Sequence, residues 1–269
     1  MEFTPALEFT FSSQLAITGA SSGIGYEAAK RFAQRGKNLI IIARNTDKLE
    51  ELKKEITMID SSLEVVVKPA DLSKKENVYS LYESLKSLDI ETWINNAGFG
   101  DYRCVHNLDL VKMENMLSLN IEAVAILSTL YTCDYRDTDN TQLINISSVG
   151  GYTIVPTAVM YCSTKFFVSA FTEGLSHELI ETGAKMRVKV LAPAATKTNF
   201  GNVANNITDY DYDKSFGTYH TCDQTVDFLM QLYDSSLPVG LVDRETLTFS
   251  LCDYQFNYAG NSKHNQSLN

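Results

Sequence analysis

A chain of 269 residues, 44% of them hydrophobic and 21% charged, is long enough to bury a sizeable core, and this composition excludes the collagenous, disordered and disulfide-framework classes. The formal charge of -10 argues against nonspecific association with nucleic acid or anionic lipid, so neither a nucleic-acid nor a membrane partner is expected. The opening residues show no basic-then-apolar leader, no apolar run approaches the length of a bilayer span, and the five cysteines form no C-x-x-C pair, which suits a reducing, cytoplasmic setting and offers no metal site.

Residues 1–13 carry aromatics without a period and read as an extension leading into the first strand. Apolar runs then recur at Leu15 to Thr18, Asn38 to Ala43, Leu63 to Val67, Thr92 to Ile94, Gln142 to Ile146 and Val188 to Leu191, and each reads as a buried strand. Amphipathic segments near 24–35, 46–59, 74–88, 109–132 and 160–181 alternate with them. Strand and helix in strict turn predict one α/β domain, a Rossmann-like, doubly wound parallel sheet between two helical layers. Gly36 and Gly183 mark helix ends, and Ser73 is placed to cap the third helix. Beyond Pro193 the regularity fades into Thr196 to Gly217, a polar stretch interleaved with Phe200, Tyr210, Tyr212 and Phe216. Residues 197–217 are expected to form an irregular loop that acts as a substrate lid. A helix near 221–234, a last strand near 245–251 and a frayed polar tail at 260–269 complete the reading.

The first strand runs into Thr18, Gly19, Ala20, Ser21, Ser22, Gly23, Ile24 and Gly25, after which a helical pattern begins. Small residues between a strand and a helix N-terminus let backbone N–H groups approach a pyrophosphate, which the helix dipole favours. The second strand ends at Ala43 and Arg44, where many NAD-binding folds place an acid for the ribose 2′-hydroxyl. A cation there favours a 2′-phosphate, so the reading leans toward NADP over NAD. Asp71, followed by Leu72, stands at the end of the third strand in position to accept from an adenine amino group. Asn95 and Asn96 can tie neighbouring strand ends together, while Ala97 and Gly98 allow close approach of a cofactor.

The fifth strand leads to Ser147 and Ser148; Tyr161 lies thirteen positions beyond Ser148, and Lys165 four beyond Tyr161. On a helix the last spacing puts phenol and ammonium on one face. A close ammonium favours the phenolate and should bring the phenol down toward working pH, which is what a general acid serving a carbonyl oxygen requires.

Taken together these motifs resemble the short-chain dehydrogenase/reductase family over about residues 14–198. The glycine turn, the Asn95 to Gly98 strand end, Asn120, Ser148, and the Tyr161 and Lys165 pair match its motifs. The resemblance implies that Tyr161 is the acid/base and that Lys165 lowers its pKa and binds the nicotinamide ribose. It further implies that Ser148 holds the substrate oxygen and that Asn120 positions a water linking Lys165 to solvent. Ser147 fits the spacing worse and is given no catalytic role. Pro193, Thr196 and Thr198 match positions beside the nicotinamide carboxamide, although Ala194 stands where relatives usually carry glycine.

The expected activity is therefore NADP(H)-dependent interconversion of a small-molecule carbonyl and an alcohol. An NADP sensor without turnover, or an isomerase or dehydratase using transient hydride transfer, are the alternatives. The helices near 109–132 and 160–181 carry apolar residues on more than one face, among them Met113, Met116, Val124, Leu127, Phe166, Phe167, Phe171 and Leu175. Similar family members pair these helices, which implies a homodimer or a tetramer built from it.

Overall fold

The computed structural model describes residues 13–259; the N-terminal extension up to residue 12 and the tail at 260–269 lie outside the described residues. Strands β1 (Gln14–Thr18), β2 (Asn38–Ala43), β3 (Val65–Pro69), β4 (Ile90–Asn95), β5 (Gln142–Ile146), β6 (Arg187–Ala192), β7 (Val239–Val242) and β8 (Phe249–Cys252) form one sheet in the order β3-β2-β1-β4-β5-β6-β7-β8. All neighbours are parallel except β7 and β8. Chain direction across the sheet reverses between β1 and β4. A crevice opens at such a switch point beyond the strand C-termini, and the glycine turn lies there.

Alternation along each strand feeds two cores. Leu15, Ile17, Leu39 and Ile41 face one side with α1 (Gly23–Gln34), α2 (Thr46–Ile59) and α9 (Cys222–Asp234). Ala16, Ile40, Ile42 and Trp93 face the other with α3 (Lys75–Glu83), α5 (Val124–Tyr135) and α6 (Val159–Glu181). Every residue of β1 and β2 is buried, as a central strand covered by helices on both faces must be. The ends of β4 and β5 are joined beneath the site: Asn95 Nδ2 donates to Asn145 Oδ1 at 2.9 Å and to Ser128 Oγ at 3.1 Å, and Asn145 Nδ2 donates to Thr172 Oγ1 at 2.9 Å.

Several expectations are corrected. The helix near 109–132 is two helices, α4 (Leu110–Leu117) and α5, joined by a wider π turn at Ser118–Ala123 that contains Asn120. Leu110–Tyr135 as a whole is 26 residues with a mean hydropathy of 1.4 in its most apolar window, long and apolar enough to cross a membrane, contrary to the sequence reading. Here Leu127 and Tyr131 instead bury themselves against the sheet. Ser73 does not cap α3: Lys74 occupies the N-cap position and makes no side-chain capping bond, and Ser73 instead donates its N–H and hydroxyl to Asp71 Oδ1. The stretch 197–217 is not irregular throughout. It holds α7 (Phe200–Asn205), ended by Asn206 in the left-handed region at φ 55°, and α8 (Tyr212–Phe216), capped by the Asp211 carboxylate. The single last strand becomes the hairpin of β7 and β8, because Asp243 Oδ1 accepts from the N–H groups of Glu245 and Thr246 and turns the chain between two short apolar runs. Of the apolar residues read as a surplus helix face, Met116, Val124 and Leu127 are buried in the chain's own core, whereas Met113, Phe166, Phe167, Phe171 and Leu175 stay half-buried.

Candidate active site

The cleft above the strand ends has a volume of about 1230 Å³ and runs from Arg44 and Asp71 at one end, past the glycine turn, to Ser148, Tyr161 and Lys165. Thr18 anchors its floor: its Oγ1 accepts from the N–H groups of Asn96 and Ala97, both at 2.9 Å. Asn96 Nδ2 in turn donates to Thr18 O at 2.9 Å. Gly19 must be glycine on two counts, a φ of +70° and a Cβ position only 2.8 Å from Asn96 Nδ2. At Gly25 a Cβ would lie 2.6 Å from Gly19 O, so this glycine lets α1 press onto the turn. Ser22 is the N-cap of α1 but makes no capping hydrogen bond, and the first turn carries no acid. The helix therefore presents unsatisfied amides and the positive end of its dipole at the cleft, alongside Ser21, Gly23 and Ile24.

Arg44 is exposed, lines the cleft and forms no ion pair among the described residues. Asp71 also lines it, though one carboxylate oxygen is already engaged by Ser73, and the side chain of Leu72 is largely buried beside it.

At the far end, β5 delivers Ser148 to a tight turn in which its Oγ accepts from the Gly150 N–H at 3.1 Å. The Val149 N–H bonds to Pro193 O at 3.0 Å, locking the turn to the end of β6. Tyr161 and Lys165 lie one helical turn apart on α6, both buried, with the Lys165 ammonium 5.9 Å from the centre of the Tyr161 ring. The expected pKa relationship is overturned. Burial holds the Tyr161 phenol well above its usual range, with the hydrogen-bonded Ser148 hydroxyl pulling the other way, while burial pushes Lys165 down to about 8. Desolvation penalises the charged form of each group and is the largest effect on both. The Lys165 ammonium finds its compensation in Ile146 O at 2.8 Å.

Asn120 is nearly fully buried in the π turn and brackets the backbone of Phe99, donating to its carbonyl at 2.8 Å and accepting from its N–H at 3.2 Å; it also donates to Thr164 Oγ1 at 3.1 Å. Gly98 is the point of closest approach, where a Cβ would meet Asn120 Oδ1 at 3.0 Å and Lys165 Nζ at 3.7 Å. Ser147 lines the cleft, but its hydroxyl is engaged with α6, bonded to Lys165 O at 3.0 Å and to Ser169 Oγ at 2.7 Å.

Over Tyr161 lie Phe200 from α7 and Tyr102, with ring centres 5.4 and 6.3 Å from it. α7 is held down by Lys112 of α4, whose ammonium donates to Val203 O at 2.7 Å, Ala204 O at 3.2 Å and Asn206 Oδ1 at 2.8 Å.

The model describing short chain dehydrogenases matches residues 14–207 of this chain. The chain belongs to that family. It is 31% identical over 211 residues to dehydrogenase/reductase SDR family member 11 of Gallus gallus, a match spanning 76% of this chain and 82% of the relative. Its fold is similar to that of a short-chain dehydrogenase from Sphingobium yanoikuyae solved in complex with NADPH, with a TM-score of 0.77, 28% identity, and coverage of 84% and 86% of the two chains. A bulky-bulky ketone specific alcohol dehydrogenase from Comamonas testosteroni follows at a TM-score of 0.73 and 26% identity, covering 86% of each chain.

This short-chain dehydrogenase, a nucleotide-binding oxidoreductase by family, brings every sequence-predicted site residue to one cleft or its immediate wall. Two of them are differently engaged than expected. The Thr196 hydroxyl is turned to Ala194 O at 3.1 Å and Thr225 Oγ1 at 3.0 Å. Thr198 accepts from the Phe200 N–H at 3.0 Å, and its methyl lies 3.2 Å from where a Gly23 Cβ would sit, so it closes over the glycine turn. Sequence reasoning missed Tyr102, Cys162, Arg244 and Leu247 as cleft residues. Cys162 could have been found as the neighbour of Tyr161; the others reach the cleft through loops with no periodic signal.

Proposed function

We propose that this short-chain dehydrogenase interconverts a carbonyl and an alcohol with NADP(H), acting on bulky apolar ketones or aldehydes in the reductive direction. The observation that carries the reading is the placement of Ser148, Tyr161 and Lys165 at one end of a cleft whose other end combines an uncompensated helix N-terminus with an unpaired Arg44. That donor set fits a dinucleotide with a 2′-phosphate: Gly19 to Gly25 for the pyrophosphate, Arg44 for the 2′-phosphate, Asp71 and Leu72 at the adenine, Asn96 to Gly98 along the ribose, and Lys165, Pro193 and Thr196 to Thr198 toward the nicotinamide. Bound there, the nicotinamide supplies or accepts the hydride.

The chain's own residues do the rest. Ser148 donates a hydrogen bond to the carbonyl oxygen, Tyr161 gives that oxygen its proton as charge develops, and the buried Lys165 ammonium stabilises the resulting phenolate. Burial of the phenol keeps it protonated and ready to donate, which suits reduction. Asn120 fixes the Phe99 backbone, and with it the wall that carries Tyr102. Phe200, Tyr102 and Tyr212 line the substrate end with aromatic surface, and residues 197–217 serve as the lid. The Comamonas testosteroni relative acts on bulky-bulky ketones, which agrees with such a lining. The test is oxidation of NADPH against a panel of aliphatic, cyclic and aromatic carbonyls. Tight NADPH binding with no turnover across the panel would overturn the reading.

The half-buried Phe167 and Phe171, whose rings stack at 5.6 Å on α6, support pairing of this helix with a second copy as a homodimer or tetramer. A monomeric mass by light scattering at micromolar concentration would overturn that assignment. Cysteines without disulfides suit the cytoplasm as the working compartment.

A further inference from the structure

Glu173 lies on α6 two turns beyond Lys165, 2% exposed and outside the cleft. Among the described residues it has no ion-pair partner. Its carboxylate instead gathers three donors: the Tyr152 hydroxyl on Oε1 at 2.6 Å, and the N–H groups of Gln255 and Phe256 on Oε2 at 2.8 and 2.9 Å. A carboxylate removed from water needs such donors to replace its hydration. These come from two segments far apart in sequence.

One is the turn that carries Ser148. The Gly151 N–H bonds to Ser148 O at 2.7 Å and the Tyr152 N–H to Val149 O at 3.0 Å, so Tyr152 closes the turn that Ser148 opens. Gly151 passes α6 so closely that a Cβ would overlap Ser147 Oγ, Ser169 Oγ and Lys165 O. The other is the segment after β8, which is laid along α6. Phe256 stacks on Tyr152 with ring centres 5.2 Å apart, and the Tyr254 hydroxyl bonds Ser176 Oγ at 2.9 Å.

We propose that Glu173 is a positioning residue, holding Tyr152 and thereby the Ser148 turn against α6, with Tyr254 to Phe256 as the strap that holds the carboxylate in place. The role assigned to Ser148 rests on the function proposed above; the mechanical link does not.

Tyr152→Phe tests it most cleanly, since the ring and its stacking on Phe256 remain and one hydroxyl is lost. The expected result is unchanged NADPH affinity with kcat reduced by up to about 100-fold, as for misplacement of a catalytic group by a fraction of its reach. The reduction should vanish in a Ser148→Ala background, because both changes act through one group; a merely structural role would add instead. Glu173→Gln should restore most of the kcat that Glu173→Ala loses, since its carbonyl oxygen can accept from both backbone N–H groups while its amide donates to Tyr152 Oη. Hydrogen exchange at Gly150 and Gly151 should quicken in Tyr152→Phe, and this arm stands whether or not the protein turns over a carbonyl. Unmutated kcat, full additivity with Ser148→Ala, an equal loss in the two Glu173 variants, or unchanged exchange would each overturn the proposal. Absence of carbonyl turnover with quickened exchange would overturn the proposed activity and support the link.

Discussion

The Lys165 ammonium sits 5.9 Å from the centre of the Tyr161 ring, one helical turn along α6, and spends a hydrogen bond on Ile146 O at 2.8 Å. Phenol and ammonium are thus buried together without a direct bond between them, and each is driven toward its neutral form. Tyr161→Phe keeps the ring, its packing against Phe200 and Tyr102, and the cleft shape. NADPH binding, followed by fluorescence titration, should survive. Turnover should fall by roughly 10²- to 10⁴-fold, the usual cost of losing a positioned general acid. Unmutated turnover, with chemistry shown to be rate-limiting by a deuteride isotope effect, would exclude Tyr161 as the proton donor.

The depressed pKa of Lys165 has a consequence for cofactor affinity. Burial brings the group to about 8 from its ordinary 10.5, so in the folded enzyme the positive charge is present below pH 8 and lost as pH rises through it. If the ammonium holds the ribose, the Kd for NADPH should be flat between pH 6.5 and 7.5 on that account and rise above about 8. Lys165→Met should weaken binding at pH 7 and abolish the rise. An affinity independent of pH up to 9.5 in the unmutated enzyme would show that the charge takes no part in binding.

Arg44 stands exposed at the end of β2 with no carboxylate partner among the described residues, so its charge is available to a 2′-phosphate. Arg44→Asp replaces attraction by repulsion at that one group. A charge-assisted hydrogen bond contributes roughly 1.5–3 kcal/mol, so NADPH affinity should fall by about one to two decades while NADH affinity changes little. Equal affinity of the unmutated protein for the two cofactors would show that the arginine does not select NADP.

What could be read from the sequence depended on whether a residue's role is local. The first six strands of the sheet, the glycine turn and the spacing of Tyr161 and Lys165 are written in apolar runs, helical periods and short motifs, and the parallel order of those six strands follows from their alternation with helices. β7 was not legible, because Val239 to Val242 is only four residues long; the strand read near 245–251 is β8, and its antiparallel pairing with β7 is set by the turn at Asp243. Nor was the π turn at Asn120, which leaves the apolar pattern of the helix unbroken. The raised phenol pKa was misjudged for a related reason: spacing shows which charges are neighbours, whereas the burial that dominates here is contributed by Phe200, Tyr102 and the rest of the cleft wall. Glu173 carries no signal in the sequence. Its partners lie 21 and 82 residues away, and nothing local announces them.

Lys189 provides the sharpest test of the cores themselves. It sits in β6 with 1% exposure and sends its ammonium to Leu232 O, Tyr233 O and Ser235 O at 2.8, 2.8 and 2.6 Å, closing the C-terminal end of α9 where the helix dipole is negative. Burial nevertheless pushes its pKa down to about 7. Below pH 7 the group is charged in both folded and unfolded chains, and the folded state bears the whole cost of the buried charge. As pH rises above 7 the folded form releases the proton while the unfolded chain keeps it to about pH 10, so this group makes stability increase with pH at a limiting slope of about 1.4 kcal/mol per pH unit. Lys165, at about 8, titrates over the same interval and adds a smaller gain of the same sign, but it is common to both proteins and cancels in their difference. Lys189→Met both removes the buried charge and takes one donor from each of three carbonyls, opposing effects that make its absolute stability uninformative. The difference in slope is informative, because every other titrating group is common to the two proteins. Urea unfolding at pH 6, 7 and 8 should show the unmutated protein gaining stability relative to Lys189→Met over the last interval, and parallel curves would mean that the buried lysine keeps its charge well above pH 8.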